Sequence, residues 1–344
     1  MKHLLNTLYV TTQGAWLARD GETVHVRVEG ETVLRVPVLT LGGIVCFGNV
    51  SCSPFLMGLC AERNVALSFL TEHGRFLARA TGQVHGNVLL RREQYRRADD
   101  EAGSAVQIAR WCIAGKVANC RQVLLRAARE HPDAAASTAL QEAASRLASM
   151  LRGIPIAASL DALRGFEGEA ARSYFATFNH LVLVDKDAFR FTERSRRPPL
   201  DNINALLSFI YTLLVHDVQA ALECVGLDPA VGFLHRDRPG RPGLALDLME
   251  ELRPLLADRL VLSLINRRQI GAASFHKSEA GEVRLLPEAR REVLIAWQKR
   301  KQEELQHPFL NETVPLGLLP HLQSMLLARH LRGDLDAYPA FLWR

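Results

Sequence analysis

Apolar and polar residues alternate in short runs from residue 1 to about residue 82. Leu8 to Thr12, Ala15 to Arg19, Thr23 to Val28 and Val33 to Val36 each read as a strand, and Asp20-Gly21 and Glu29-Gly30 read as the turns between them. A further strand is predicted at Ile44 to Phe47, a short helix at Pro54 to Arg63, and two more strands at Val65 to Leu70 and Phe76 to Ala80. From Val88 onward glycine thins out and apolar residues recur every three or four positions, the spacing of amphipathic helices. The pattern predicts an α+β protein, with a β-rich domain over 1–85 and a helical domain over 86–344. Within the helical part, the alanine-rich run Glu130 to Ser149 predicts a peripheral helix, Leu181 to Val184 a strand, and Leu316 to Leu331 an amphipathic helix. The apolar tail Tyr338 to Trp343 is expected to pack on its own domain, because an exposed aromatic end is a liability.

Polar residues set into these patterns are the candidates for chemistry. His235 opens a run to Gly243 that holds two prolines and two glycines, so it is a loop histidine. Leu244 to Arg253 then takes helical spacing, and Leu244, Leu248, Leu252 and Leu255 share a face at about 100° per residue. Asp247 and Glu250 flank that face. Carboxylates at i and i+3 leave adjacent turns on one side of a helix and can reach one cation; the same pair also suits the solvated flank of an amphipathic helix. A third acid, Glu167, falls among Leu163, Phe166, Ala170, Tyr174 and Phe178 if Asp161 to Phe178 is helical. A carboxylate on an apolar face calls for a partner. That partner is a metal ion or an arginine, with Arg164 and Arg172 as candidates.

Arginines form the other signal. Arg190, Arg194, Arg196 and Arg197 precede Pro198-Pro199-Leu200-Asp201, where Asp201 reads as a helix cap and Asn204 as a local hydrogen-bonding residue. Arg236, Arg238 and Arg241 share the loop of His235. Arg194, Arg196, Arg197, Arg236, Arg238 and Arg241 are therefore the candidate phosphate contacts, while Arg91 to Arg97 reads as the solvated charge of a connecting helix.

The 344 residues carry 48% hydrophobic and 23% charged side chains, an ordinary globular composition with ample material for a core. No run approaches the roughly 18 consecutive apolar residues of a membrane helix, and no basic start leads into an apolar segment, so no membrane partner and a cytoplasmic location are expected. The six cysteines form no C-x-x-C pair and lie mostly among apolar neighbours, which argues for reduced core cysteines over zinc ligands or disulfides. A net charge of +5 concentrated in clusters makes nucleic acid the leading partner class.

Three long motifs stand in order: F-E-G-E-A-A-R-S-Y-F at 166–175, R-R-P-P-L-D-N-I-N-A-L-L-S-F-I-Y at 196–211, and G-L-D-P-A-V-G-F-L-H through A-L-D-L-M-E-E-L-R-P at 226–254. Together they resemble the CRISPR-associated spacer-acquisition integrase, the Cas-one endonuclease family, and most nearly its subtype I-C form. The resemblance spans nearly the whole chain. It implies a β-sandwich-like N-terminal domain used in homodimerisation and an all-helical catalytic domain. It also implies Glu167, His235 and Asp247 as ligands of Mg²⁺ or Mn²⁺. The family's further acid, often aspartate, matches Glu250; Glu251 stands as a rival for that role. Implied partners are double-stranded DNA, a small ferredoxin-like protein of the Cas-two family that bridges two dimers, and a fragment-trimming nuclease of the Cas-four family.

The implied reaction is attack of a fragment's 3′-hydroxyl on a phosphodiester of the repeat array. A nuclease for branched or free-ended DNA and a non-catalytic DNA-binding scaffold are the competing readings. Alanine at Glu167, His235 or Asp247 is expected to abolish strand transfer while leaving the fold largely intact.

Overall fold

The structure is a computed structural model that describes residues 5–82 and 88–343; the expected domain boundary near residue 85 lies outside the described residues. The chain divides into two compact units, Met1–His85 with Pro287–Gln302, and Gly86–Leu286 with Glu303–Arg344.

The first unit runs β1 (Asn6–Val10), β2 (Trp16–Asp20), β3 (Thr23–Val28), β4 (Glu31–Pro37), β5 (Leu41–Phe47), β6 (Ser51–Cys52), α1 (Pro54–Glu62), β7 (Ala66–Leu70) and β8 (Phe76–Ala80). One sheet has the order β1-β5-β7-β8, parallel except for β8; the other, β4-β3-β2-β6, is an antiparallel meander with β6 laid parallel to β2. β6 was not expected, because two residues carry no period. Glu29 and Gly30 both take positive φ, 52° and 87°, the type I′ geometry whose twist matches the strands it joins. Ser53 caps α1 by accepting from the Leu56 amide. Leu17, Val24 and Val26 from one sheet, Val10, Ile44, Cys46 and Leu67 from the other, and Leu56 and Leu59 from α1 close a single apolar core.

The same unit takes in a helix from far along the chain, Pro287–Gln302. Its buried face holds Ala289, Val293, Leu294 and Trp297. Gln298 donates to the Thr7 carbonyl at 2.7 Å, Lys301 Nζ reaches Thr7 Oγ1 at 3.1 Å, and Arg290 meets Glu72 at 2.7 Å. Residues 86–344 are therefore not one continuous unit.

The second unit is mostly helical: α2 (Val88–Asp99), α3 (Val106–Glu130), α4 (Ala134–Gly153), α5 (Leu160–Phe175), α6 (Phe178–Leu181), α7 (Asn202–Val225), α8 (Gly243–Met249) and α9 (Arg259–Asn266). After it come the hairpin β9 (Phe275–Lys277) and β10 (Val283–Leu285), the helix α10 (Pro287–Gln302) given to the first unit, the hairpin β11 (Glu304–Gln306) and β12 (Thr313–Pro315), and α11 (Leu319–Leu331). The two hairpins depart from the all-helical expectation.

α7 is the one described helix long and apolar enough to cross a membrane, and 61% of its most apolar window is buried inside the structure. Asp201 caps it by accepting from the Asn204 amide at 2.7 Å, and Gly226, at φ 88°, ends it. Two expectations fail for identifiable reasons. Leu181 to Val184 is not a strand, because the Asn266 side chain bonds both the Leu181 carbonyl and the Leu183 amide, each at 2.9 Å. The helix expected to run to Arg253 stops at Met249; the chain turns through 250–252 and resumes as a π-helical segment, Arg253–Asp258, with Pro254 in the first turn, where a missing N–H costs no bond.

The tail folds onto its own unit. Tyr338 and Phe341 are buried, and the Trp343 amide donates to Asn119 Oδ1 at 2.8 Å.

Candidate active site

The site is built from four segments of the second unit: α3, α5, the turn 229–242, and α8 with the residues that follow it.

Asp247, fully buried on α8, organises the turn. Its Oδ2 accepts from the Phe233 and Leu234 amides at 2.6 and 2.9 Å, and its Oδ1 from the His235 amide at 3.0 Å and from His235 Nδ1 at 2.5 Å. The approach is so close that a Cβ on Gly232 would meet Asp247 Oδ2 and the Gly243 backbone, each at 2.7 Å. Arg164, expected as a partner for Glu167, instead clasps the Leu234 carbonyl with Nε and Nη2 at 2.9 and 2.7 Å. Gln94 on α2 secures the start of the turn through the Asp228 and Val231 carbonyls, each at 2.8 Å. The contact of His235 Nδ1 with Asp247 fixes the ring beside α8, its side chain 18% exposed.

Glu167, on α5, is partly exposed, and its partner is Lys116 from α3, which the sequence reading did not single out. Lys116 Nζ bonds Glu167 Oε1 and forms an ion pair with Glu250 Oε2 at 2.7 Å. A signal was available: Lys116 falls on the arc of Cys112, Ile113, Val117 and Cys120, the buried face of its helix. Arg253 Nη1 takes the other oxygen of Glu250. The Tyr211 ring lies between Arg253 and Arg194, 5.2 and 5.4 Å from the two guanidinium carbons, and its hydroxyl donates to Asp258 at 2.6 Å. Burial raises the Glu250 carboxyl, but Arg253 and Lys116 outweigh it and hold the group down at about 2. Among the described residues, no three His, Cys, Asp or Glu side chains stand together as a formed metal site. Lys116 separates Glu167 from Glu250, and the lone pairs of Asp247 are taken by the turn.

Glu251 faces the other way. Its carboxylate accepts from the Tyr338 hydroxyl, from Gln323 at 3.0 Å and from the Phe341 amide at 2.7 Å, so it anchors the tail and takes no part in the site. Adjacent positions on a helical backbone point about 100° apart, which separates its direction from that of Glu250. Burial pushes the Glu251 carboxyl from 4.5 up to about 7 despite those three bonds. A raised folded value means that the group's contribution to stability is complete below pH 4.5 and is lost as pH rises through about 7. That loss is on the order of 3 kcal/mol. Chemical denaturation at several pH values between 5 and 8 should show stability falling, and Glu251→Gln should flatten the fall; an unchanged slope would assign it to other groups.

The arginines divide. Arg194 is mostly buried and donates to Asn204 Oδ1 at 2.5 Å, to the Ser195 carbonyl at 2.6 Å and to Ser208 at 3.2 Å, so it ties its loop to α7 instead of standing free for a phosphate. Arg196, Arg197 and Arg238 are exposed, Arg236 pairs with the exposed Asp161 at 3.0 Å, and Arg241 is partly buried. Lys116, Glu167, Arg194, Arg196, Arg253 and Asp258 line one cleft.

The sequence profile of the family described as CRISPR associated protein Cas1 matches residues 8–299. A curated relative, CRISPR-associated endonuclease Cas1 1 of Chlorobaculum tepidum, is 54% identical over 344 residues and is covered end to end, as is this chain. The chain belongs to the Cas1 family.

A second Cas1 endonuclease, from Rhodospirillum rubrum, is 55% identical over 348 residues with both chains fully covered. A Cas4 exonuclease/Cas1 endonuclease fusion of Geobacter sulfurreducens is 36% identical across 98% of this Cas1-family chain and 60% of its own length. Among solved structures, the fold is shared with a casposase bound to integration product (TM-score 0.83, 21% identity, 99% of this chain and 95% of that one). It is also shared with a chain of a Cas6-RT-Cas1–Cas2 complex (TM-score 0.82, 24% identity, 100% and 36%). The order of β-sheets followed by a mostly helical region is thus the Cas1 architecture.

Proposed function

We propose that this Cas1-family protein joins the 3′-hydroxyl ends of captured DNA fragments to a repeat array by transesterification, as in subtype I-C systems. In this reading Mg²⁺ or Mn²⁺ is held by Glu167, His235 and Asp247, with Glu250 beside them. The observation that carries it is the convergence of two carboxylates, Glu167 and Glu250, on one positive centre, with the Asp247-held imidazole of His235 close enough to act on Glu250. The Lys116 ammonium is a stand-in cation there, and carboxylate oxygens with an imidazole nitrogen suit a hard divalent ion. Direct ligation by Asp247 requires it to release one of its four hydrogen bonds, and ligation by Glu250 Oε2 requires it to give up its ion pair with Lys116 at 2.7 Å.

When bound, the metal polarises a phosphodiester and stabilises charge on the attacking and leaving oxygens. The protein's own groups do the rest. Asp247 holds the His235 ring in place through Nδ1. Arg253, stacked on Tyr211, holds Glu250 ionised. Arg196, Arg197, Arg236, Arg238 and Arg241 neutralise backbone phosphates of double-stranded DNA. No serine or cysteine adjoins His235, so the attacking oxygen comes from the fragment. A bond from its 3′ oxygen to phosphorus forms as the bond to the repeat's leaving oxygen breaks; the attacking hydroxyl loses a proton and the leaving oxygen gains one.

The working assembly is a cytoplasmic homodimer, paired through a small ferredoxin-like Cas2 and served by a Cas4 nuclease that trims the fragment. The Cas4/Cas1 fusion supports the last pairing.

Fragments ending in 2′,3′-dideoxynucleotides should bind but not join when incubated with the protein, its small partner, Mn²⁺ and a repeat-bearing plasmid. Equal joining from normal and dideoxy ends would overturn the reading, and nicking with no joining would make the protein a nuclease.

A further inference from the structure

We infer that Lys116 is a resident counter-cation of the Glu167 and Glu250 carboxylates, which a divalent ion must displace before it can occupy the site. The inference rests on the metal-binding reading above. α3 carries Lys116 inward on its apolar face, leaving the side chain 9% exposed, and its ammonium is the group that Glu167 and Glu250 share. Arg253 holds the remaining oxygen of Glu250. The four groups therefore balance, two carboxylates against two cations, with Glu250 only 2% exposed. Stripped of Lys116, the carboxylates would face each other across a poorly solvated gap and repel.

This balance has a cost for metal binding. A divalent ion entering between the carboxylates adds two positive charges to a neutral group, so it competes with Lys116 for Glu167. An arriving phosphodiester supplies the negative charge that offsets the excess. Metal uptake is thereby coupled to DNA binding, and each raises the affinity for the other. Lysine suits a displaceable role: it is a point charge on a flexible stem, whereas Arg253 is pinned by Glu250 on one side and the Tyr211 ring on the other.

The test uses the full chain and free Mn²⁺, followed by electron paramagnetic resonance. Without DNA, Lys116→Met should bind Mn²⁺ about tenfold more tightly than the wild type, or better, once the competing charge is gone. Addition of a DNA duplex should tighten Mn²⁺ binding by the wild type and do little for the variant. A second measurement needs no substitution. Lys116 is one of six lysines, and in protein labelled with ¹⁵N-lysine its Nζ resonance should move as Mg²⁺ is titrated in. Equal Mn²⁺ affinity in a folded Lys116→Met protein, or an Nζ resonance that ignores Mg²⁺ at concentrations where Mg²⁺ binds, would overturn the inference alone. If Lys116→Met does not fold, the resonance decides. Absence of Mn²⁺ binding by both proteins would overturn the metal-ligand reading and this inference together.

Discussion

Asp247→Asn should unfold this protein far more readily than its isosteric shape suggests, with a loss of about 3–5 kcal/mol in chemical denaturation. The carboxylate is fully buried and accepts four hydrogen bonds, three of them from consecutive backbone amides. An asparagine replaces one accepting oxygen with an NH₂ group, which then faces N–H donors that have no water to turn to. The turn that aims His235 comes apart with it. Alanine at this position is correspondingly more damaging to the fold than the ligand role alone implies, and the expectation that Asp247 can be truncated without structural cost is revised on this geometry. A measured loss below about 1 kcal/mol would mean that the turn stands without Asp247.

Glu167→Gln is the contrasting case, with activity lost and the fold kept. Glu167 is 29% exposed and contributes one oxygen to an ion pair with Lys116. Water screens such a partly exposed pair, so the stability change should stay within about 1 kcal/mol. Joining of fragment ends with Mn²⁺ should fall by about a hundredfold or more if Glu167 holds the metal as proposed, since a charged group is replaced by a neutral one of the same shape. Joining rates and denaturation midpoints on one protein preparation check both halves. A near-normal rate would remove Glu167 from the chemistry, whatever its conservation of shape.

The contrast marks what a linear reading of the chain can reach. Every strand from Leu8 to Ala80 other than β6, together with the cap at Asp201, follows from local periodicity and local turn chemistry, interactions that span only a few residues. The placing of Glu167 beside an apolar stripe also announces that a partner exists. Which partner is a different matter. Lys116 lies 51 residues away on another helix, and only the packing of α3 on α5 brings them together. The same limit applies to Glu250 and Glu251: periodicity sets adjacent residues about 100° apart, but it does not say that Lys116 stands on one side and the tail on the other. Arg194 reads as surface charge among other arginines, yet Asn204, Ser208 and the Tyr211 ring take it into the structure.

The return of α10 to the sheets of the first unit bears on how the protein is made. α10, with Trp297 fully buried, belongs to a unit whose other residues end at His85. A ribosome delivers the strands early but withholds this helix until some two hundred residues of the second unit have emerged. During that interval the strands are all present, but Thr7 and Glu72 lack their partners Gln298, Lys301 and Arg290. A fragment cut at residue 85 would remain permanently in that state, so a soluble version of the β-rich unit has to be built with residues 287–302 spliced back onto it.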